Sequence, residues 1–415
     1  MNHARVPRRL LQLLLRSRGL PRVGPPPPSK SIANVEVCPF KYGKEAAACV
    51  SVDFELGWAW RFRDHRWLRQ HAQLGRKHVP RLITLLEEFS LPVTWAIVGH
   101  LFLESCTAGV DGMPHPDMPR PHPFWNWPGD WYFHDPCLNY RDAPLWYAPD
   151  LINMILESSV DHEVATHSFS HIDFSPKTCY EELAYAEIKK SISAMQRYSL
   201  RPQSLVFPFN SCTERYFEVF ANLGIIAVRF ADPRFQLSYP QRSAYGVWKI
   251  FQTMGLIHPT YYSLTHKADA YIEAARANNQ VFHLWLHPSD NANAINTTFP
   301  AICELLRKRA DLGHIWLTTM GELAEYCEVR TQISFDVHNG PDETKIVLDA
   351  SKCQTRNDTE ISLKVGVNSS KTRVLSGKNI DKLEQLNKDV VFSDSGQSLT
   401  VTIPISNRVC VLDYS

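Results

Sequence analysis

The chain of 415 residues is long enough for two or three domains, or for one large domain with an accessory. Its 44 basic and 43 acidic residues give a formal charge of +1, which argues against nucleic acid or an anionic membrane as the main partner. Its ten cysteines include no C-x-x-C pair, a pattern typical of reduced, buried thiols. We therefore expect a cytoplasmic protein.

Residues 1–35 differ from the rest of the chain. They contain six Arg and one Lys but no acidic residue before Glu36. Their apolar run, LLQLLL, is too short for a transmembrane helix and short even for a signal-peptide core. We interpret the segment as a disordered leader, with organelle targeting or a membrane-surface helix as the alternative. No other stretch approaches membrane-spanning length, so we predict no integral membrane span.

From residue 45 the pattern alternates between strands and helices. The predicted strands are 46–52, 93–98, 162–165, 204–207, 225–230, 247–251, 281–286 and 315–317. The predicted helices include 76–89, 177–198, 214–223, 267–277 and 300–309. Such alternation is typical of parallel β-structure, and we predict an α/β barrel domain over residues 36–328.

Two carboxylates follow the first predicted strand. Asp53 and Glu55 stand at or just beyond the end of the apolar run AAACVSV, and at i and i+2 they share one face of an extended chain. One of them can ligate a metal ion while the other, about 6–7 Å along the strand, stays free as a base. An ordinary polar strand exit is the alternative interpretation.

A long insertion, residues 104–146, separates the second strand from the next motif. Its centre reads HPFWNWPGDWYFHDPCLNY, which is rich in aromatic residues and Pro. These aromatic side chains could stack on sugar rings at a barrel mouth. They could equally form a satellite core that holds the loop down, and we favour this second interpretation slightly.

The segment DHEVATHSFSHIDF follows the insertion. His167 and His171 are four residues apart, so both rings can reach one metal ion on a helical turn, whereas on a strand they would be about 13 Å apart. We therefore predict a strand that opens into a helical turn carrying the pair. Surface or core histidines unrelated to a metal are the alternative.

A later strand, VFHLWLHPSD, supplies a further candidate. Pro288 ends the strand immediately after His287, which places that imidazole at the strand exit. His283 lies in the middle of the strand, where an interior histidine is the expected role. His287 is the better catalytic candidate.

Beyond residue 328 the sequence changes to short alternating strands separated by Asn, Asp, Gly and Ser turns. We predict a small all-β C-terminal domain, residues 329–415, of the β-sandwich type. A structural cap, an oligomer contact and a carbohydrate-binding module all remain open for it, and a homo-oligomer remains an alternative to a monomer.

Four motifs in order, SVDFE, HSFSH, FPFN and LWLHP, resemble those of the NodB-like polysaccharide deacetylases, a family of metal-dependent carbohydrate esterases. The likeness extends over roughly residues 45–325. The phrases VTWAIVGHLF and WYAPDL resemble the branch found among bacterial surface-polysaccharide biosynthesis genes. The resemblance implies a distorted (β/α)7-type barrel and a carbohydrate substrate.

The resemblance also implies roles for individual residues. Glu55, His167 and His171 would hold a divalent metal ion, expected to be Zn²⁺, with Co²⁺, Ni²⁺ or Mn²⁺ as alternatives. Asp53 would act as general base and His287 as general acid. The residues that would contact the substrate or stabilise the oxyanion are Asn210, Pro208 and Trp58.

The sequence departs from the common family pattern in two places. Asp53 and Glu55 are separated by Phe54 where many members have adjacent Asp residues, so their roles could be exchanged. Phe209 stands where many members have an Arg that supports the catalytic Asp. Arg229 or Arg234, with Asp232 as an outer partner, could replace it.

Three functions follow as hypotheses. The leading one is hydrolytic removal of the N-acetyl group from an N-acetylated sugar in a polysaccharide, glycan or precursor. A related metal-dependent amidohydrolase acting on a non-sugar C–N bond is the second. A catalytically silent barrel that binds glycans is the third. A glycosidase is disfavoured, because two carboxylates on one strand face cannot readily flank a glycosidic bond.

Overall fold

A computed structural model describes residues 21–122, 130–256, 263–353, 359–367, 372–386, 390–393 and 397–414. Its strands are β1 (Ser31–Ile32), β2 (Val35–Val37), β3 (Ala46–Phe54), β4 (Thr94–Ile97), β5 (Glu163–Thr166), β6 (Ser204–Val206), β7 (Ala227–Phe230), β8 (Gln241–Arg242), β9 (Trp248–Phe251), β10 (Met254–Gly255), β11 (Val281–Leu286), β12 (Ile315–Thr318), β13 (Ser334–Asn339), β14 (Glu343–Asp349), β15 (Glu360–Gly366), β16 (Arg373–Gly377), β17 (Glu384–Gln385), β18 (Val390–Phe392), β19 (Ser398–Pro404) and β20 (Val409–Asp413).

The helices lie between these strands. They are α1 (Gly57–Trp60), α2 (His65–Glu88), α3 (Pro149–Leu156), α4 (Glu181–Gln196), α5 (Phe217–Asn222), α6 (Leu264–Ala277), α7 (Phe299–Asp311) and α8 (Met320–Gln332). Shorter helical turns are Lys41–Gly43, Gly99–Phe102, Pro208–Asn210 and Ala294–Thr298. In the described ranges, no helix combines the length and the apolar character that a membrane span requires.

The centre of the fold is a curled ten-stranded sheet with the order β10-β11-β3-β4-β5-β6-β7-β9-β8, in which β12 also pairs with β3. Apart from the antiparallel pair β8–β9, all pairs in it are parallel. Strand β3 lies inside the sheet, where it pairs with β11, β4 and β12 and is buried along its whole length. Eight of its nine residues are apolar or small, and the ninth is Asp53. The predicted (β/α)7-type fold is confirmed as an open half-barrel with helices around it.

The C-terminal region forms two antiparallel five-stranded sheets. Their orders are β13-β14-β20-β16-β17 and β1-β2-β15-β19-β18. Buried side chains of both sheets belong to one apolar core, for example Leu348 and Leu412 from the first and Leu363 and Val401 from the second. The prediction of a small all-β domain after the barrel is confirmed.

The N-terminal boundary differs from the prediction. Strands β1 and β2 include residues that we assigned to a disordered leader, yet β2 pairs with β15, where Val37 lies opposite Leu363. Residues 31–35 therefore belong to the C-terminal sheets, while residues 1–20 lie outside the described residues. The periodicity could not reveal this, since two very short strands need a distant partner to form.

The boundary between barrel and accessory sheets also lies inside an element. Helix α8 spans the predicted division at residue 328, and its buried face contacts small strand residues of the barrel such as Ala96 and Ala165. Phe335 and Ile346 of the accessory sheets belong to the same core. Helix α8 thus joins the two regions through a continuous apolar contact.

Candidate metal and catalytic site

The predicted site residues meet at the carboxyl edge of the parallel sheet. Asp53 is the penultimate residue of β3 and Glu55 follows that strand directly. His167 comes directly after β5, and His287 comes directly after β11. Because strand pairing aligns these ends, side chains from distant parts of the sequence converge at the place where α/β folds collect functional groups.

Glu55, His167 and His171, here called the pocket cluster, are all buried. The Oε1 atom of Glu55 lies 3.1 Å from Nε2 of His167 and 3.0 Å from Nε2 of His171. Their ligand atoms lie close enough together to hold one metal ion. One carboxylate and two imidazoles leave coordination positions open, which is typical of catalytic rather than structural zinc.

The hydrogen bond at the other side of His167 shows that a cation suits this cluster. Nδ1 of His167 lies 2.8 Å from the carbonyl oxygen of Val206, and a carbonyl can only accept, so Nδ1 carries a proton. In the neutral ring, Nε2 then presents a lone pair to the Glu55 carboxylate. Two acceptors at 3.1 Å repel each other unless a cation lies between them, and a backbone bond of this kind is typical of metal-ligating histidines.

The segment that carries the two histidines is not the helical turn that we predicted. Residues 167–174 are irregular, with a bend at residues 169–170, rather than helical, and Ser168 and His171 have φ values of 59° and 55°. These left-handed conformations turn both imidazoles towards Glu55 without helical spacing. The inference that the rings converge was right, but the local conformation was wrong.

A buried carboxylate that sequence reasoning missed holds this segment in place. Oε2 of Glu187, on α4, accepts hydrogen bonds from the backbone N–H groups of Phe169 and Ser170 at 3.0 and 2.9 Å. Its Oε1 accepts from the Ser170 hydroxyl at 2.6 Å and from the Tyr132 hydroxyl at 3.0 Å. A glutamate on the buried face of an amphipathic helix was the only signal in the sequence that could have identified it.

Asp53 is held by Arg229, as one of our two alternatives proposed. The guanidinium donates to both carboxylate oxygens at 2.6 Å, and it also donates to Ser51 Oγ at 3.0 Å and to Asn210 Oδ1 at 3.3 Å. Burial alone would raise the pKa of Asp53, but Arg229, together with the nearby His167 and His287, outweighs burial and lowers it. Arg229 therefore occupies the supporting role for which Phe209 has no charge.

Arg234 and Asp232 form a separate pair. The Arg234 side chain is exposed to solvent and donates to both oxygens of Asp232, at 2.6 Å for its shortest contact. The Asp232 carboxylate therefore does not support Asp53, and our assignment of Asp232 to the site was wrong. The sequence could not show which way the side chain of Asp232 faces, because this residue lies two positions beyond a strand end.

His287 faces the carboxylates from the opposite strand end. Its Nε2 lies 3.8 Å from Glu55 Oε1 and 3.9 Å from Asp53 Oδ2, while its Nδ1 lies 3.4 Å from Asp290 Oδ1. Burial alone would lower the pKa of His287, but Glu55, Asp290 and Asp53 outweigh it and raise that pKa to about 10. The ring is therefore an imidazolium at neutral pH, able to donate a proton.

Burial and His287 have opposite effects on the pKa of Glu55. Burial favours its protonated form, but the neighbouring imidazolium outweighs burial and holds the pKa of Glu55 well below its ordinary value. Burial lowers the pKa of His171 to about 4, so that ring stays neutral and can act as a ligand. His283, as predicted, is an interior histidine, with Nε2 2.9 Å from Ser51 Oγ.

Asp53, Glu55, His171, Arg229 and His287 line a pocket of about 1070 Å³. Its wall also contains the aromatic side chains of Trp60, Phe62, Phe133, Phe209 and Trp285. Phe209, 42% exposed, packs with its ring centroid 4.5 Å from that of His171. The pocket thus combines an apolar aromatic wall with a small group of charged side chains at one side, a combination typical of ligand sites.

Of the three predicted substrate or oxyanion contacts, the structure places Asn210 at the pocket wall but neither Trp58 nor Pro208. Trp58 is fully buried, its indole N–H donates to the carbonyl of Trp146 at 3.1 Å, and it does not line the pocket. The backbone N–H of Asn210 donates to the Phe207 carbonyl at 3.3 Å, so it is already used in the turn that follows β6. Pro208 is buried in that turn, and the Asn210 side chain does line the pocket.

The aromatic residues of the insertion are divided between the apolar core and the pocket wall. Trp131 and Tyr132 are buried in the main apolar core. Phe133 is 67% exposed and lines the pocket beside His134. Residues 123–129, which include the first part of the aromatic run, lie outside the described residues.

Residues 46–228 match the family model for polysaccharide deacetylase. Among solved structures, a Mycobacterium smegmatis protein described as a polysaccharide deacetylase is similar over 72% of this chain and 93% of its own, with 16% identity and a TM-score of 0.50. A Pseudomonas aeruginosa PAO1 polysaccharide deacetylase matches over 68% of this chain and 90% of its own, with 11% identity and a TM-score of 0.46.

The Puue allantoinase is also similar, over 68% of this chain and 89% of its own, with 11% identity and a TM-score of 0.45. No curated protein matches the chain significantly. The structural likeness to the M. smegmatis protein agrees with the open half-barrel, and the family model covers the chain from β3 to the first half of β7, which includes the pocket cluster and Asp53. The family match therefore identifies a polysaccharide deacetylase domain of the NodB-like type within residues 46–228.

Proposed function

We propose that the chain is a metal-dependent hydrolase that removes the N-acetyl group from an N-acetylated sugar in a polysaccharide, a glycan or a precursor of one. The observation that carries this proposal is the arrangement around the pocket cluster. Glu55 Oε1 lies within 3.1 Å of both imidazole nitrogens, and Asp53 and His287 lie beside it at the wall of one pocket.

Glu55, His167 and His171 would hold the metal ion, for which Zn²⁺ is the expected choice and Co²⁺, Ni²⁺ or Mn²⁺ are alternatives. When bound there, a divalent ion lowers the pKa of a water molecule and polarises the acetyl carbonyl. The Val206 carbonyl fixes the His167 ring so that Nε2 faces this position.

Asp53 would take the proton of the attacking water. Its two oxygens are each held at 2.6 Å by Arg229, which leaves further lone pairs on a carboxylate whose orientation is fixed. Because the pKa of Asp53 is lowered, the carboxylate is ionised and ready to accept a proton at neutral pH.

His287 would protonate the departing amine. The oxygen of water forms a bond to the acetyl carbon, the C–N bond breaks, and the nitrogen takes a proton from the imidazolium. The products are acetate and a free amino sugar. Asp290 supports this role, because its carboxylate lies 3.4 Å from Nδ1 and favours the charged ring.

The aromatic wall supports a sugar as the substrate. Trp60, Phe209 and Phe133 line the pocket together with the charged groups. Flat apolar rings match the apolar faces of pyranose rings, whereas the polar groups beside them suit an amide and hydroxyls. A non-sugar C–N bond and a silent glycan-binding barrel remain the alternatives that experiment must separate.

The test combines metal content with product release. We would measure bound metal in the wild type and in His167→Ala, and assay acetate release on a panel of N-acetylated oligosaccharides and precursors. A matched control is His162→Gln, because His162 precedes the opposite end of the same strand, β5.

We expect His167→Ala to lose the pocket metal and acetate release, while His162→Gln keeps both. Metal binding without acetate release on any sugar would favour the non-sugar amidohydrolase, and a pocket without metal would favour the silent barrel. The cytoplasmic location and the oligomeric state inferred from the sequence stay predictions.

A further inference from the structure

A second group of potential metal ligands lies behind the pocket. His100 stands in the helical turn Gly99–Phe102, and Cys106, His115 and Asp135 stand in the long insertion. All four residues are buried, and their ligand atoms lie within 4.8 Å of one another. None of them lines the pocket described above. We call these four residues the insertion cluster.

The distances within the insertion cluster are those of atoms that surround a common point. Oδ2 of Asp135 lies 2.7 Å from Nε2 of His100 and 2.9 Å from Nε2 of His115, and the two imidazole nitrogens are 3.0 Å apart. Sγ of Cys106 lies 3.2 Å from the same nitrogen of His115. Bonds of about 2.0–2.3 Å to zinc would set such atoms roughly 3–4 Å apart, so only a small outward shift is needed.

The contacts of His100 are also compatible with a cation in this cluster. Nδ1 of His100 lies 3.4 Å from the carbonyl oxygen of Trp146, and a hydrogen bond donated there would leave a lone pair on Nε2 of the neutral ring. That lone pair faces the Asp135 carboxylate at 2.7 Å. Two acceptors at this distance in a buried site repel each other, whereas a cation between them would be stabilised by both.

The remaining contacts of Asp135 also support a cation between its Oδ2 and the two histidines. Its other oxygen, Oδ1, accepts hydrogen bonds from the Tyr147 hydroxyl at 2.5 Å and from the backbone N–H of Cys137 at 3.0 Å. These donors satisfy Oδ1 and fix the carboxylate so that Oδ2 faces the two histidines. A ligating carboxylate is commonly oriented in this way by outer hydrogen bonds.

We propose that His100, Cys106, His115 and Asp135 form a second metal site, which binds one Zn²⁺ ion with a structural role. Four protein ligands complete a tetrahedral shell and leave no position for a substrate. A thiolate and two imidazoles select zinc over magnesium or calcium, which prefer oxygen ligands. This inference is independent of the proposed deacetylase activity.

The site would fasten the insertion to the barrel. Between the turn Gly99–Phe102 and α3, the described chain contains only isolated bridges such as Ser105 with Asn139. A connection of this length without regular structure is uncommon in a compact domain, and a metal bound to three of its residues would reduce the conformational freedom of the unfolded loop and so stabilise the fold.

The same site would also support the segment that carries the pocket histidines. The Phe169 ring lies between the two ligand sets, with its centroid 5.4 Å from that of His100 and 5.3 Å from that of His115. The backbone N–H of His100 donates to the Phe169 carbonyl at 3.0 Å. Two of the proposed zinc ligands, His100 and His115, are therefore in direct contact with Phe169, which lies between His167 and His171 in the sequence.

A disulfide between Cys106 and Cys137 is the competing interpretation. Their sulfur atoms are 3.5 Å apart, but Sγ of Cys106 is nearer to the His115 nitrogen, at 3.2 Å. A disulfide would leave the lone pair of His100 Nε2 facing Asp135, so it does not resolve the repulsion. A zinc ion resolves it and uses Cys106 without Cys137.

The test counts metal ions and identifies their ligands in the full-length protein. We expect two equivalents of zinc in the wild type, one in His171→Ala and one in Cys106→Ala. After replacement of zinc by cobalt, a thiolate-to-cobalt charge-transfer band should appear in the wild type and in His171→Ala, and it should be absent in Cys106→Ala. The pocket cluster contains no cysteine, so this band reports the insertion cluster alone.

Cys137→Ala is the matched control, because its sulfur lies beside the cluster without belonging to it. We expect this variant to keep two equivalents and the cobalt–thiolate band. One zinc equivalent in the wild type, lost entirely in His171→Ala, would overturn the proposal. So would peptide mapping without reduction that recovers Cys106 and Cys137 as one cross-linked product. Since the wild-type metal count and spectrum need no variant, the proposal stays testable even if Cys106→Ala fails to fold.

Discussion

The pocket cluster and the insertion cluster use similar ligand atoms, yet they differ in what lies next to them. The pocket cluster has three potential ligands and borders a cavity of about 1070 Å³ that Asp53 and His287 also reach. The insertion cluster has four, includes a cysteine sulfur, and is enclosed by Tyr147, Phe169 and the loop itself. The number of ligands and the access of solvent, rather than the residue types, separate a site suited to chemistry from one suited to holding a fold.

The largest effect on activity should come from removing Asp53, the proposed base beside the pocket cluster. Asp53→Asn keeps the shape of the side chain but cannot accept the proton of water, so we expect acetate release to fall by about 10²–10⁴-fold. Bound metal should be unchanged, because the ligands remain. If the variant loses metal in proportion to activity, then Asp53 is a ligand, and the roles of Asp53 and Glu55 are exchanged.

Removal of a ligand from the insertion cluster should lower the stability of the fold. Cys106→Ala removes a ligand, and we expect the free energy of unfolding to fall by about 4 kcal/mol, since loss of a bound metal belongs to the changes with large effects. Denaturant unfolding of the purified protein measures it. Cys137→Ala should have a much smaller effect, and equal losses for the two variants would remove the distinction between them.

The contact between Arg229 and Asp53 predicts how the activity of the pocket site depends on pH. Asp53 must be ionised to act, and Arg229 lowers its pKa, so Arg229→Gln should raise that pKa and move the acidic limb of kcat/KM to higher pH. The basic limb, which depends on His287, should move less. An acidic limb that stays in place would show that Arg229 is structural only.

The smallest effect concerns His283, a buried histidine that belongs to neither cluster. Burial lowers its pKa to about 3, whereas an unfolded histidine titrates near pH 6.5. The unfolded chain therefore binds the extra proton between these values, so the stability present above pH 6.5 is lost as pH falls towards 3.

His283→Gln should reduce the slope of unfolding free energy against pH in that window by at most about 1.4 kcal/mol per unit. Urea unfolding at several pH values measures the slope. An unchanged slope would mean that His283 is not buried in its neutral form.

Much of the fold and part of the site could be predicted from sequence. The strand 281–286 was predicted with its observed ends, because an apolar run that ends at Pro288 leaves little freedom. Helix α2 was predicted to start at residue 76 but begins at His65, because its first turns are polar and their start depends on the Asp64 side chain accepting from the Trp67 N–H at 2.9 Å.

The residues that sequence missed depend on tertiary contact. Glu187 and Asp135 look like ordinary surface carboxylates in the sequence, yet both are buried and accept hydrogen bonds from non-local groups, the Tyr132 and Tyr147 hydroxyls respectively. The insertion cluster has ligand spacings that match no regular metal motif. Arg229 could be offered only as one of two alternatives, since strand register decides which side chain reaches Asp53.

The pairing of β2 with β15 has a consequence for how the chain is made. Val37 and Leu363 lie opposite each other, so the first of these residues leaves the ribosome well before its partner exists. At typical synthesis rates the delay is on the order of tens of seconds, which is long compared with the folding of a domain. The barrel can therefore fold before β15, the partner of β2, has been synthesised. A nascent chain halted before residue 360 should consequently expose β2, and chaperones that bind extended apolar segments should recognise it there.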